Sequence, residues 1–530
     1  MFKTQRSDCA LCRDLHHPDD KFDRYGRFDY ETTFSELCDS ANAGCISCTF
    51  FHDGARGLLG TTELGKIRIR TVREFGDDEH ERGIERNPFH TWMKITEESN
   101  PPVVIEFYSD DEGVLDTWPV LSPGTHISAD PASDGCLEKA RTWLQQCSQE
   151  HEVCGSAQAK NSLPTRVIDV GSPDQNPRLY ETNQDEMGCY AALSYCWGKS
   201  RTFITTLGTL ESRKTGFQLE DLPNTCRDAI VVARELGIQY VWIDSICIVQ
   251  DSSPDWEAEA AKMCAVYTNA IITFAAIDSP DSDTGLFVSE PDRHTVTLPV
   301  RLPSNERVGN VYARKMNSSY KSGFLHAKGV PPSDPTFNGI LNSRGWTLQE
   351  VILSRRVLFF GSWELGWCCR NSTACECDIQ FRSDSLFRLN QYIEVPMTMS
   401  AMIAETEEEQ RLFIWMRTIA AFTSRQLSFH TDRLPAIAGL ADAMHNHIGG
   451  RYFAGMWEAG IEKMLVWHSD KKPNSRETPV IDSTVEGRCA PSWSWASVYG
   501  GVVSMLEGYG IHVLVSRLET TIYGRNFSHR

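Results

Sequence analysis

Between residues 190 and 276 short apolar runs alternate with amphipathic ones, and this alternation constrains the fold more than any other feature of the chain. Tyr190-Ala191-Ala192-Leu193-Ser194-Tyr195 reads as a strand closed by Trp197-Gly198. Thr225, with Asp228 three residues on, approximates a helix N-cap and capping box. Ala229, Ile230, Ala233 and Leu236 then share one helical face, and Gly237 is placed to stop the helix in the left-handed conformation. Tyr240-Val241-Trp242-Ile243 is β-branched and aromatic, the composition of a buried strand. Asp255 is expected to cap another helix, and residues 271–276 form a further strand. The order strand–helix–strand–helix–strand predicts an α/β fold with a central, mostly parallel sheet flanked by helices.

Open parallel sheets bind ligands beyond the carboxyl ends of their strands. Ser194, Tyr195, Cys196, Trp197 and Gly198 follow one strand there, and Asp244-Ser245 follow another. Asp244 has a plainer reading as a turn cap, and Trp197, Trp242 and Trp256 as core anchors. On the next helix, with Trp256 at 0° and about 100° per residue, Ala260, Met263 and Tyr267 fall near one another and predict a core stripe. Glu259 falls at the border of that stripe and Glu257 points further out. A carboxylate at such a border is partly desolvated, a setting suited to catalysis. The structural alternative is that Glu259 pairs with Arg234 or another arginine.

The chain has 530 residues, which at about 150 per domain suggests two to four folding units. A net charge of −19 argues against nucleic acid or anionic lipid as the main partner. The first residues carry no apolar signal-peptide core, and no apolar run reaches the length of a membrane span. A soluble cytoplasmic chain with reduced thiols is therefore expected, so its eighteen cysteines point to metal sites or buried small residues, not disulfides. Cys9-x-x-Cys12 and Cys45-x-x-Cys48 each offer two thiolates from one tight turn, which suits tetrahedral zinc. The intervening 32 residues exceed the usual spacer, and His16, His17 and His52 are candidate substitutes; buried reduced thiols are the competing reading. Cys147-x3-His151-x2-Cys154 has ligand types at helical spacing, but Trp143 and Leu144 beside it favour a packed helix. Cys368-Cys369 with Cys375-x-Cys377 is ambiguous in the same way. The breaks in the chain give a Cys-paired region at 1–60 and a variable region at 61–165. An α/β unit follows at 188–356, and a Trp-rich mixed α+β region at 361–530.

Three ordered blocks carry a resemblance. The first is Tyr190-Ala-Ala-Leu-Ser-Tyr-Cys-Trp-Gly198. The second runs from Leu222-Pro-Asn-Thr through Asp228-Ala-Ile and Leu236-Gly-Ile-Gln-Tyr-Val-Trp-Ile-Asp-Ser245 to Gln250-Asp251, and continues with Asp255-Trp256, Glu259, Met263 and Tyr267. The third is Arg344-Gly-Trp-Thr-Leu-Gln-Glu350 with Leu353-Ser-Arg-Arg356. Together they resemble the fungal heterokaryon incompatibility (HET) domain, and Asp432-Arg433-Leu434 and Ala490-Pro-Ser-Trp-Ser-Trp495 extend the likeness. The resemblance implies a role in fungal non-self recognition and programmed cell death, with a protein partner and an oligomer as expectations.

HET domains are in turn similar to TIR domains, an α/β fold with NAD-cleaving members whose catalytic glutamate follows a tryptophan on a helix. That likeness implies NAD as substrate and Glu259 as the catalytic carboxylate. It places Ser194, Tyr195, Trp197, Gly198, Asp244, Trp256 and Arg344 at the nucleotide site, with Arg344 on the phosphates. The spacing Trp256-Glu-Ala-Glu259 is one residue shorter than the TIR pattern and leaves Glu257 as a rival. No P-loop, GxGxxG, HExxH or GxSxG is present, which disfavours a P-loop ATPase, a Rossmann dehydrogenase, a zincin and an α/β-hydrolase. A non-enzymatic interaction module and a zinc-stabilised regulatory protein stand as the alternatives.

Overall fold

The computed structural model describes residues 9–12, 27–60, 66–73, 89–96, 103–199, 203–289, 295–301, 308–316, 340–377, 408–469, 490–498 and 503–505. Near the N-terminus, apolar and polar residues alternate with the period of a strand. In β2 (Lys66–Arg73), Ile67 and Ile69 are buried between exposed Lys66 and Arg68, and β3 (Phe89–Thr96) repeats the pattern with Met93 and Ile95. With β1 (Arg27–Thr32) and β4 (Val103–Ser109) they form an antiparallel sheet. A hairpin from far along the chain, Thr295–Arg301 and Val308–Met316, continues that sheet from β4.

Two helices, α1 (Phe34–Asn42) and α2 (Ile46–Leu59), accompany this sheet, and α2 lies against it. Thr33 and Glu36 close a full capping box at the start of α1. Two glycines let α2 approach closely. A Cβ at Gly54 would sit 2.8 Å from the Phe107 ring and 2.9 Å from Ala313, and one at Gly57 would sit 3.0 Å from Val296. The hairpin thus belongs structurally with the N-terminal sheet, although in sequence it falls inside the 188–356 stretch.

The second sheet holds the larger core. Its strands are β5 (Arg166–Asp169), β6 (Arg178–Glu181), β7 (Tyr190–Ser194), β8 (Tyr240–Trp242), β9 (Ile272–Ala276), β10 (Arg356–Phe360), β11 (Leu365–Cys369) and β12 (Thr373–Cys375), in the spatial order β12-β11-β10-β9-β7-β8-β5-β6. The protein is therefore mixed α/β. The expectation of a mostly parallel sheet is corrected, because most strand pairings across the two sheets are antiparallel. In the second sheet parallel pairing is confined to β8-β7-β9-β10, and β5, β6, β11 and β12 add antiparallel edges. The four inner strands are linked by long connections and β11 and β12 by short turns that reverse the chain, while β5 and β6 precede the inner strands in sequence and β5 pairs with β8 from a distance.

Helices α3 (Asp134–Glu150), α4 (Asn224–Glu235), α6 (Met263–Asn269) and α7 (Trp346–Ile352) join this core, followed by α8 (Glu408–Thr423) and α9 (Pro435–Ile448), while α5 (Ser253–Ala260) buries Glu259 but adds no side chain to the apolar cluster. Gly237 ends α4 at φ +69° as expected, but the N-terminal caps differ. Thr225 lies inside α4, where its hydroxyl accepts the Gly285 N–H, and Asp228 accepts from Leu286 N–H. Ser252, not Asp255, caps α5; Asp255 instead takes a bidentate bond from Arg166. The helix expected to run unbroken through Tyr267 stops after Ala260 and restarts at Met263. The 100° step loses its phase at that break, so Met263 and Tyr267 are buried as expected while Trp256 is 39% exposed. Among the described residues no helix is long and apolar enough to cross a membrane.

Candidate functional site

The adjacent parallel strands β7 and β8 end side by side, and the residues just past them form the floor of a cleft. Asp244 opens the short helix Asp244–Cys247 after β8. Its carboxylate accepts the Trp197 indole N–H at 3.0 Å (Oδ1) and 2.9 Å (Oδ2), and the Ser245 N–H at 2.7 Å. Tyr195, buried behind, donates its hydroxyl to Ser245 Oγ at 2.7 Å. Burial raises the Asp244 carboxyl above its ordinary value, against the pull of Arg344, Trp197 and the Ser245 N–H.

The opposite side comes from residues 343–346 and from the segment after α8. Arg344 donates to the Tyr195 carbonyl at 2.6 Å, tying the two sides together. Gly345 N–H bonds the Gln426 carbonyl at 2.7 Å, and Gln426 N–H bonds the Ser343 carbonyl at 2.6 Å. A Cβ at Gly345 would fall 2.5 Å from Leu427 Cδ2, so any larger residue would press on that side chain. Trp346 donates to Asp432 at 3.1 Å. The resulting cavity has a volume of about 490 Å³, within the range of small-molecule sites. Trp197, Asp244, Trp256 and Arg344 all line it, with Trp346 and the 426–429 segment completing the wall.

The other expected site residues lie behind or beside this cleft. Ser194 is fully buried at the end of β7 and donates to Glu350 on α7. Gly198 sits at φ +72°, where a Cβ would meet Asp281 at 2.3 Å, so its glycine is required by turn geometry and close packing. Glu259 is 2% exposed but is not a cleft-lining residue. Its Oε1 accepts Thr165 Oγ1 at 2.7 Å and Lys262 Nζ at 2.9 Å, while Oε2 is buried without a partner among the described residues. The partner is thus a lysine one turn on, not the arginine expected from sequence. Glu257 borders a neighbouring hollow against α9.

Glu350 is the buried acid to which sequence reasoning gave no role. Burial, reinforced by the Asp244 charge, pushes its carboxyl up to about 7 against the Ser194, Arg344 and Tyr267 interactions. The available signal was an acid inside the apolar run Trp346–Ile352. The cleft wall from 426 to 432 was also missed, since nothing local in that segment reports a partner some eighty residues earlier.

Cysteine-rich groups lie elsewhere. Cys9, Cys12, Cys45 and Cys48 bring their sulfurs within 4.8 Å of one another, an arrangement able to hold a metal ion. Cys9 and Cys48 are 3.8 Å apart, close to the roughly 3.8 Å edge of a tetrahedron with zinc–sulfur distances of about 2.3 Å. Cys45 also caps α2 by accepting the Cys48 N–H. His52 is engaged elsewhere, bonding Asp53 at 2.8 Å and stacking on Phe34; His16 and His17 lie outside the described residues. Cys147, His151 and Cys154 gather with Cys369, and Glu364, Cys375 and Cys377 form a third group.

Fold and cleft together define a mixed α/β protein with a tryptophan-lined pocket at the carboxyl ends of its inner parallel strands. Residues 190–350 match the family model described as heterokaryon incompatibility protein (HET), so the chain carries a HET domain over that span. The match opens on β7 and closes on Glu350, enclosing Trp197, Asp244, Trp256 and Arg344 but not the 426–432 wall. No curated protein and no solved structure matches the chain.

Proposed function

We propose that this chain is a heterokaryon-incompatibility effector of fungal non-self recognition and programmed cell death, and that its cleft binds and cleaves an NAD-type dinucleotide. One observation carries this reading. Four residues from three motif blocks, Trp197, Asp244, Trp256 and Arg344, converge on a single cavity. Their chemistry suits a nucleotide: indole faces for a base, a carboxylate for a ribose diol and a guanidinium for phosphate.

In the reaction the bond between nicotinamide and ribose breaks with its electrons leaving on nicotinamide, and the Asp244 carboxylate stabilises the oxocarbenium-like sugar. Water adds to the anomeric carbon and releases a proton, giving ADP-ribose. The N–H donors of Trp197 and Ser245 favour the ionised Asp244 that this role needs. Glu259, held by Lys262 and Thr165, is the comparison residue. Asp244→Asn is expected to lose NAD turnover and Glu259→Gln to keep it; the reverse pattern returns the catalytic role to Glu259.

A second reading has its own observation. Phe429 is 61% exposed and Trp256 39% exposed at the rim of the same cleft, an apolar edge that a protein partner or a second copy of the chain is able to cover. Under that reading the domain transmits recognition without chemistry, and wild-type protein leaves NAD untouched. We assign zinc to Cys9, Cys12, Cys45 and Cys48, with all four positions filled by thiolates and hence a structural role.

A further inference from the structure

Helix α3 ends in a turn far along the chain from the cleft motifs. Cys147 lies in its last turn, His151 is its C-cap, and Cys154 closes a 3₁₀ turn, Glu152–Cys154, that Gly155 ends at φ +67°. Sequence spacing alone presents these three as one side of a packed helix. The fold adds a fourth group: Cys369, the last residue of β11, joins them with all four ligand atoms within 4.8 Å of one another. His151 Nδ1 lies 3.4 Å from Cys369 Sγ. Nitrogen and sulfur on a tetrahedral zinc, at about 2.0–2.1 and 2.3 Å from the metal, sit about 3.6 Å apart.

The surroundings are arranged for thiolates. Cys369 Sγ accepts the peptide N–H groups of Asn371 at 3.4 Å and Ser372 at 3.3 Å. Arg356 Nε reaches Cys147 Sγ at 3.1 Å. Donors aimed at sulfur stabilise its ionised form and orient it toward a metal. Arg356 is also fully buried, and among the described residues it pairs with no carboxylate; its remaining bonds go to the carbonyls of Ile271 and Gly155. Arg355, bonded to the Thr268 carbonyl and Asn161, and Arg370, bonded to the Val153 carbonyl, flank the same turn. Three guanidinium groups crowd a cluster of three sulfurs. A buried arginine without a counter-charge is strongly unfavourable. Three thiolates, a neutral imidazole and one divalent ion carry a net charge of −1, which supplies the anion that Arg356 lacks.

We propose that Cys147, His151, Cys154 and Cys369 bind one zinc ion in a tetrahedral Cys3His site, distinct from the N-terminal four-cysteine site. Binding displaces one proton from each thiol and uses Nδ1 of neutral His151. All four positions are filled by protein, so the ion is structural. It fastens the end of α3, which precedes the HET domain, to an outer strand of the large sheet, where Trp143 and Trp367 already pack with ring centroids 6.3 Å apart. Residues on either side of the HET domain are thereby linked across it.

The test uses the full chain purified without chelators. Zinc measured by elemental analysis in the Cys45→Ser background, which removes the N-terminal site, is expected at one equivalent, and Cys45→Ser with Cys369→Ser at none. Zinc-free Cys45→Ser protein, or retention of that equivalent in the double variant, overturns the proposal. Because either variant is liable to misfold, X-ray absorption at the zinc edge of wild-type protein gives a second measurement. Two sites with four and three sulfurs average about 3.5 sulfurs and 0.5 imidazole nitrogens per zinc. An all-sulfur shell in wild-type protein overturns the Cys3His assignment.

Discussion

The indole of Trp197 donates to both carboxylate oxygens of Asp244, and these two residues stand just past the ends of the neighbouring parallel strands β7 and β8. The ring, together with the Ser245 N–H, therefore fixes the orientation of the Asp244 carboxylate on the cleft floor. Trp197→Phe keeps the aromatic bulk and removes the donor. The loss is expected to destabilise the protein by about 1–3 kcal/mol, because the acceptor stays desolvated. A double-mutant cycle with Asp244→Asn, read by denaturant unfolding, should show a coupling of at least about 0.5 kcal/mol. Additive effects would show that the bond does not organise the site.

Glu350 makes stability depend on pH in a direction opposite to that of most carboxylates. Unfolded, it ionises near 4.5; folded, near 7. Between these values the folded chain holds a proton that the unfolded chain has released, so stability falls as pH rises from about 4.5 to 7 and levels off above. The separation corresponds to about 3 kcal/mol. Glu350→Gln removes this dependence and is expected to raise the melting temperature relative to wild type at pH 8 more than at pH 5. Parallel wild-type and variant pH profiles would contradict the assignment.

Gly345 is the point of closest approach in the cleft wall. Gly345→Ala places a methyl group against Leu427 and is expected to cost about 1–3 kcal/mol by overpacking, since the two backbones are also bonded to each other there. Thermal unfolding reads the cost, and quenching of the cleft tryptophans by a small solute should increase as the 426–429 segment lifts. An unchanged melting temperature would mean that the wall yields freely.

Much of the core was legible in local composition. The inner strands β7, β8 and β9 fall where short apolar runs place them, within a residue at each end, and Gly237 stops α4. What local pattern does not contain is the partner of an edge. β5 and β11 join the sheet antiparallel because of turns and contacts outside the motif blocks, and the 295–316 hairpin pairs with β4 across more than two hundred residues.

The site divides along the same line. Trp197, Asp244, Trp256 and Arg344 are strand-end or motif residues, and the fold brings them together. Ser194, Tyr195 and Gly198 belong to the same blocks but serve the wall and the turn. Glu259 was placed by extrapolating a helix that breaks after Ala260, so periodicity could not say which cavity its carboxylate faces. Cys369 joins the proposed second zinc site from far along the chain, a partner of the kind that spacing motifs cannot contain.

Under the proposed function, the cleft containing Asp244 cleaves dinucleotides. The direct measurement is release of nicotinamide from NAD by purified wild-type chain, with Asp244→Asn and Glu259→Gln assayed beside it at matched folded concentration. The expected result is turnover by wild type and Glu259→Gln and a loss of about a hundredfold or more in Asp244→Asn. Turnover that survives in Asp244→Asn, or no turnover by any of the three, would contradict it.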